Sequence, residues 1–395
     1  MKYDFTTITD RRYHGASKWM KMLRDNPNAA IDAIPLSVAD MEFKNAPEIV
    51  EGLKAVLDSY LLGYGGPTDD YYNAIISWMK RRHDFLIEKD WILTTPGIVV
   101  AINFILKACV KKGEGVILMT PVYYPFYSLV TKNELCIVEN NLIDDNGYYR
   151  IDFDDLQNKA ADPNNTALIL CSPHNPIGRV WQEDELRKVA DICLANDVLL
   201  IVDEIHHDLI MPGFKHHVLA KLNSHYLDKV ITCTSCSKSF SLAGLQVSNI
   251  IIKDKELRNK VKTELYLSNL GGLNILAYPA CRLAYDKAEA WLDQCNQVIY
   301  DNYLYIKEFV ANNLPELKVY PLEGTYLVWI DCRALKVDHL VQEEIMLKHD
   351  LYLDEGFIFG EFGKGFERIN IACPLSVIEA AMIRFKAAIT EMKSL

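Results

Sequence analysis

A chain of 395 residues, half of them hydrophobic and 24% charged, is long enough for a large core and two domains, and its composition excludes a disordered protein. Its net charge of −11 comes from 42 basic and 53 acidic residues with no basic tract longer than the three residues Lys80, Arg81 and Arg82, so a nucleic-acid surface is not indicated and a small molecule is the expected partner. The opening "MKYDFTTITDRR" lacks the apolar stretch of a signal peptide, and no run approaches the ~18 apolar residues of a membrane span, so a cytoplasmic protein with no membrane association is expected. The ten cysteines sit in apolar contexts such as "LILCSP" without regular spacing, the pattern of reduced, mostly buried thiols.

In chain order, the first 47 or so residues hold little that could fold alone. From Trp91 to Ile252, seven short apolar runs alternate with helical patterns: "WILTT", "GVILMT", "LCIVEN", "TALILCS", "VLLIVDE", "KVITCTS" and "VSNIII". That alternation predicts an α/β unit with a mostly parallel seven-stranded sheet covered by helices. Between two of the runs, "QEDELRKVADICLAND" places Leu186, Val189, Ala190 and Cys193 at helical spacing behind an acidic first turn. Beyond residue 285 a long helix is predicted from Trp291, Cys295, Val298, Ile299, Ile306, Phe309 and Val310, then the alternating strand "TYLVWID". A last helix after Pro374 shows Ile378, Met382, Phe385, Ile389 and Met392 on one face, with Ser376 and Glu379 at the spacing of a capping box. The expected organisation is a large domain over 48–285, with 1–47 and 286–395 forming a smaller α+β domain.

Ligands of open parallel α/β sheets bind beyond the carboxyl ends of the strands, where loops and helix amino termini converge. The segments just after the runs hold a Pro-Gly turn opening a helix at Ile98 and Val99, an aromatic pair at Tyr123 and Tyr124, and Asn175 in "SPHNPIG". They also hold Asp203 with His206 in "DEIHHDL", and Ser235, Ser237 and Lys238 in "SCSKSF". Five strand tips thus supply a phosphate cradle, an aromatic plate, an amide, a carboxylate and an amine. Pyridoxal phosphate requires these parts: a lysine for its aldehyde, an acid for its ring nitrogen, a stacking ring, donors to its phenolic oxygen and an anion site.

The motifs "SPHNPIGRVW", "DEIHHDL", "SCSKSFSLAGLQ" and "GFERINIACP" resemble those of fold type I pyridoxal-phosphate enzymes of aminotransferase class I/II. With "PLSVADMEF", "YGGPTDDYYNAIISWMKRRH", "TPVYYPF" and "EGTYLVWID", the chain resembles the cystathionine β-lyase branch from about Tyr3 to Pro374. The resemblance implies that Lys238 bonds the cofactor aldehyde, Asp203 pairs with the pyridine nitrogen, Asn175 holds the phenolic oxygen and Tyr123 stacks on the ring. Ser235, Ser237, His206 and the backbone at Ile98 and Val99 complete the implied cofactor contacts. Tyr64 in "LGYGGP" would reach the phosphate of a neighbouring subunit, implying a homodimer with shared active sites. Arg368 in "FERIN" would clamp the substrate carboxylate through its guanidinium fork, with Ala39 and Asp40 beside the substrate and Tyr124 offering a hydroxyl. Two departures from the broader aminotransferase pattern, His206 in place of a tyrosine and Gln246 in place of an arginine, are features of the lyase branch.

Other readings of these residues are weaker. The pair Cys233 and Cys236 has no second cysteine pair for zinc, and Ser235-x-x-Lys238 lacks the companion motifs of penicillin-binding enzymes. In His206-His207 and His216-His217, adjacent side chains of an extended segment point opposite ways, so no metal site is expected. The implied activity is α,β-elimination from L-cystathionine or another cysteine S-conjugate, yielding thiol, pyruvate and ammonia. An aminotransferase shares nearly all these residues and is the alternative, and a regulatory role through binding a transcription factor is a second.

Overall fold

All seven apolar runs become strands of one sheet in the computed structural model, which describes residues 2–270 and 272–395. They are β1 (Ile92–Thr95), β2 (Gly115–Thr120), β3 (Cys136–Asn141), β4 (Asn165–Cys171), β5 (Leu199–Asp203), β6 (Val230–Thr234) and β7 (Ser248–Ile251). Their spatial order is β1-β7-β6-β5-β4-β2-β3, and β7 alone runs antiparallel to its neighbours.

Strand side chains alternate between faces, and here each face has its own core. Ile117, Met119, Leu168, Leu170, Leu200 and Val202 pack into one cluster, while Val116, Leu118, Ala167, Ile169 and Ile201 pack into the other. Helices cover both faces, so the strands are apolar on both sides and read as continuous runs. One covering helix, Glu183–Ala195, buries Leu186, Val189, Ala190 and Cys193, and the Glu185 carboxylate accepts the Gln182 backbone N–H at its start.

A second, antiparallel sheet is built from β8 (Lys318–Val319), β9 (Leu327–Asp331), β10 (Asp354–Glu355) and β11 (Phe366–Asn370), in the order β8-β9-β11-β10. The long helix Glu289–Asn313 precedes it, and Leu375–Met392 follows it with Ile378, Met382, Phe385, Ile389 and Met392 buried. The capping box expected at Ser376 and Glu379 does not form. Pro374 stands at the N-cap, and its fixed φ starts the helix at Leu375, which leaves Ser376 inside the first turn.

Residues 34–40 tie the amino terminus to this second sheet. Ile34–Pro35 pairs in parallel with Leu351–Tyr352, and the Asn370 amide donates to the carbonyls of Val38 and Asp40, each at 2.8 Å. No helix among the described residues is long and apolar enough to cross a membrane.

Candidate active site

Strand register places the key groups side by side. Cys171, Asp203 and Cys233 are direct partners across β4, β5 and β6, so the three strands end level and their loops rise from one line. Asn175 lies four residues beyond the first, and Lys238 five beyond the third. A cavity of about 210 Å3 opens above this line, bounded by Ile98, Val99, Tyr123, Asn175, Asp203, His206, Ser237 and Lys238 among others.

Lys238 sits on the short helix Cys236–Ser239, which starts where the Ser235 hydroxyl accepts the Ser237 backbone N–H at 2.9 Å. Its Nζ donates to the carbonyl of Ala39, which crosses over the cavity from the amino-terminal segment. Burial pushes the Lys238 pKa down to about 8; Arg368 and Lys18 add to this, while Asp40 and Asp203 oppose it. Across the cavity, burial raises the Asp203 carboxyl to about 7, against the Ile205 N–H that donates to it at 3.1 Å and the Lys238 charge.

His206 is buried on the same wall, and its Nδ1 has no hydrogen-bond partner among the described residues. Burial and the nearby cations Lys238 and Arg368 hold this imidazole neutral. Ile98 and Val99 open the helix Ile98–Cys109 behind Gly97, whose φ of 111° is readily adopted only by glycine, and their backbone N–H groups belong to its unpaired first turn.

Arg368 lies behind the cavity, not on its wall. Its guanidinium donates to the Asn175 Oδ1 at 2.9 Å and to the Asp354 carboxylate, and its Cζ is 4.7 Å from the Phe359 ring centre. Ser235 is likewise displaced: its hydroxyl is engaged with the Val247 carbonyl at 2.6 Å and with Ser237, so Ser237 is the serine that faces the cavity. Tyr124 is 43% exposed and outside the cavity lining, with its ring 5.4 Å from that of Tyr123. Asp40 lies in a larger adjoining cleft of about 1030 Å3, where its carboxylate meets Arg11 at 2.8 Å. Tyr64 is fully exposed and does not line the cavity of its own chain.

The sequence matches the aminotransferase class I and II family over residues 31–385. The chain belongs to that family. It is 38% identical to the cystathionine β-lyase PatB of Bacillus subtilis over 91% of this chain and 93% of that protein. Among solved structures it resembles pyridoxal-phosphate-containing cystalysin from Treponema denticola, at 47% identity and a TM-score of 0.98 with both chains fully covered. It also resembles the pyridoxal-phosphate-bound C-S lyase of Staphylococcus hominis, at 34% identity and a TM-score of 0.91 over 98% of each chain.

The cavity fits the cofactor of these class I and II relatives. The fit rests on unsatisfied polar groups: Asp203 accepts one hydrogen bond among those described, His206 Nδ1 accepts or donates none, and the helix amino terminus at Ile98 offers free N–H groups. Gln246 also lines the wall, where the broader family pattern has arginine, so the anion end carries less fixed positive charge.

Three contacts at or behind the cavity leave little or no trace in the sequence. Asp354 meets Arg368 because the two are cross-strand partners in β10 and β11, and sequence does not reveal strand pairing. Asn370 anchors Val38 and Asp40, and its position two residues after Arg368, on the same face of β11, is the one signal of it. Cys171, on the cavity floor, is visible only once β4 and β5 are in register.

Proposed function

We propose that this chain is a pyridoxal-phosphate-dependent carbon–sulfur β-lyase whose substrates are L-cystathionine and other cysteine S-conjugates, with Lys238 as its proton carrier. The relatives named cystathionine β-lyase and C-S lyase support the reaction class. The observation that carries the site assignment is the pairing, across one small cavity, of an amine with lowered proton affinity and a buried carboxyl.

When bound, pyridoxal phosphate supplies an aldehyde carbon for the amine and a ring that accepts electrons from the substrate α-carbon. Asp203 would be the acid for its ring nitrogen, Tyr123 its stacking partner, Asn175 the donor to its phenolic oxygen, and the Ile98 and Val99 amides with Ser237 its phosphate site. Lys238 takes the α-proton: a pKa near 8 leaves a sizeable neutral fraction at physiological pH, and the Ala39 carbonyl orients Nζ between uses. Arg368 binds the substrate carboxylate, and its two fixed contacts preset the plane of the fork. The adjoining cleft, which shares Lys238 and Ala39 with the cavity, receives the sulfur substituent.

Tyr64 completes a neighbouring subunit's phosphate site in this reading. Its full exposure, beside exposed Leu61 and Leu62, supports an assembly in which that segment is covered. A cytoplasmic homodimer is the form proposed.

Addition of L-cystathionine to the purified protein tests the reaction. Pyruvate and a free thiol should appear without any added 2-oxo acid, and a requirement for 2-oxoglutarate would overturn the lyase in favour of a transaminase.

A further inference from the structure

One member of each histidine pair meets a third histidine. His206 faces the cofactor cavity, while His207 turns to the opposite side, where it meets His83 at the end of the helix Asp69–His83, together with His216, Asp208 and Glu204. Ring centres are 4.5 Å apart for His83 and His207, 5.7 Å for His83 and His216, and 6.1 Å for His207 and His216. All five residues are buried, and a cleft of about 520 Å3 opens onto His83, His207, Asp208 and His216.

We propose that His83, His207 and Asp208 bind a zinc-class divalent transition ion, at a site separate from the cofactor cavity.

The first support is the His207 ring. Its Nδ1 is engaged with the Glu204 carbonyl, which fixes the proton there and leaves Nε2 with a bare lone pair. That nitrogen is fully buried, has no hydrogen-bond partner among the described residues, and lies 3.4 Å from Asp208 Oδ2. A bare imidazole nitrogen this close to a carboxylate oxygen in a buried site is suited to sharing a cation with it. Neighbouring ligand atoms on a tetrahedral ion with bonds of about 2.0–2.1 Å lie about 3.3 Å apart, which matches the observed gap.

The second support is the set of ligands and their backing. The ligand atoms of His83, His207 and Asp208 lie within 4.8 Å of one another. His83 Nε2 is 2.8 Å from Asp208 Oδ1 and needs only the Nδ1–H tautomer to become a ligand. Asp208 is oriented by Trp78 Nε1 at 3.1 Å and by the Ser239 hydroxyl at 2.7 Å, the outer hydrogen bonds that metal-binding carboxylates require. Two imidazoles and a carboxylate favour zinc, cobalt or nickel over calcium or magnesium, and the cleft leaves a fourth position for water. His216, whose ring lies beside those of His83 and His207, is 3.2 Å from Glu204 with no hydrogen bond between them.

The test uses holoenzyme stripped with chelator, reloaded with zinc and passed through a desalting column. One zinc per chain should be retained, with an affinity that falls roughly 100-fold or more in His207→Ala and is unchanged in Cys136→Ser, which removes the exposed thiol. Cofactor absorbance in each variant reports folding. Should His207→Ala fail to fold, X-ray absorption at the zinc edge of the unmodified holoenzyme decides, and nitrogen and oxygen neighbours without sulfur are expected. Retention of less than a tenth of an ion per chain, equal affinity in His207→Ala, or sulfur in the coordination shell overturns the proposal.

Discussion

On the proposed role of Lys238 as the amine that bonds the cofactor aldehyde, its lowered proton affinity should set how fast the empty protein captures the cofactor, because only the neutral amine attacks an aldehyde. A shift from 10.5 to about 8 raises the neutral fraction at pH 7 from about one in 3,000 to about one in ten, roughly a 300-fold gain. The capture rate should therefore climb with pH and level off above a midpoint near 8. Asp40 is the leading opposing charge, so Asp40→Asn should move the midpoint to lower pH, by on the order of half a unit. Asparagine retains an oxygen that can accept from Arg11, so the cleft keeps its shape. Stopped-flow growth of the visible absorbance, run in parallel with a simple alkylamine to divide out the cofactor's own titration, reads both midpoints. A midpoint that stays near that of a free lysine, or one that moves upward in Asp40→Asn, would refute the burial-dominated account.

Four further outcomes are expected. Asp354→Ala strips the buried Arg368 of its counter-ion and the Val38 N–H of its acceptor, and denaturant unfolding should show a loss of about 3–5 kcal/mol. Gln246→Arg adds a fixed positive charge to the cavity wall, so cofactor dissociation, followed by absorbance, should slow about tenfold. If Tyr64 serves the partner's site, Tyr64→Ala and Lys238→Ala chains mixed and refolded should regain up to about a quarter of wild-type sites, whereas unshared sites would regain none. Burial and neighbouring acids raise the Glu355 pKa from 4.5 to about 7, so the folded state holds a proton that the unfolded state releases, and stability falls as pH rises through that window. Glu355→Gln should raise the melting temperature at pH 8, by the equivalent of on the order of 1–3 kcal/mol, and leave it unchanged below the unfolded pKa.

The central sheet is legible in the sequence because its strands are buried on both faces: a run such as "GVILMT" has no solvent side to interrupt it, and every residue of it is buried in the structure. The cavity residues are legible because each comes directly after such a run. What the sequence does not reveal depends on distant pairing. Ser235 and Ser237 are two residues apart, and only the Val247 carbonyl, twelve residues from Ser235, decides which hydroxyl faces the cavity. The helix after Pro374 begins earlier than its capping signal because φ restriction at proline outweighs a polar cap. His206 and His207 do part, but in a turn rather than the extended segment expected, and local sequence cannot show that the helix ending at His83 packs against His207 and His216.

The same dependence on distant pairing explains why the reactive amine sits where it does. Lys238 is held from its own strand tip by the Ser235 cap, and from behind by Ser239, whose hydroxyl is anchored on Asp208. From above it is held by Ala39, in a segment that belongs to neither β6 nor its loop. Val38 adopts a φ of 47°, an unfavourable conformation for a β-branched residue, and is kept there by the Asp354 carboxylate on its N–H and the Asn370 amide on its carbonyl. Asp354 is also the counter-ion of Arg368. The strained segment thus links Arg368, the proposed clamp of the substrate carboxylate, to Lys238, the proposed proton carrier, so burial of Lys238 and alignment of Arg368 depend on one closure.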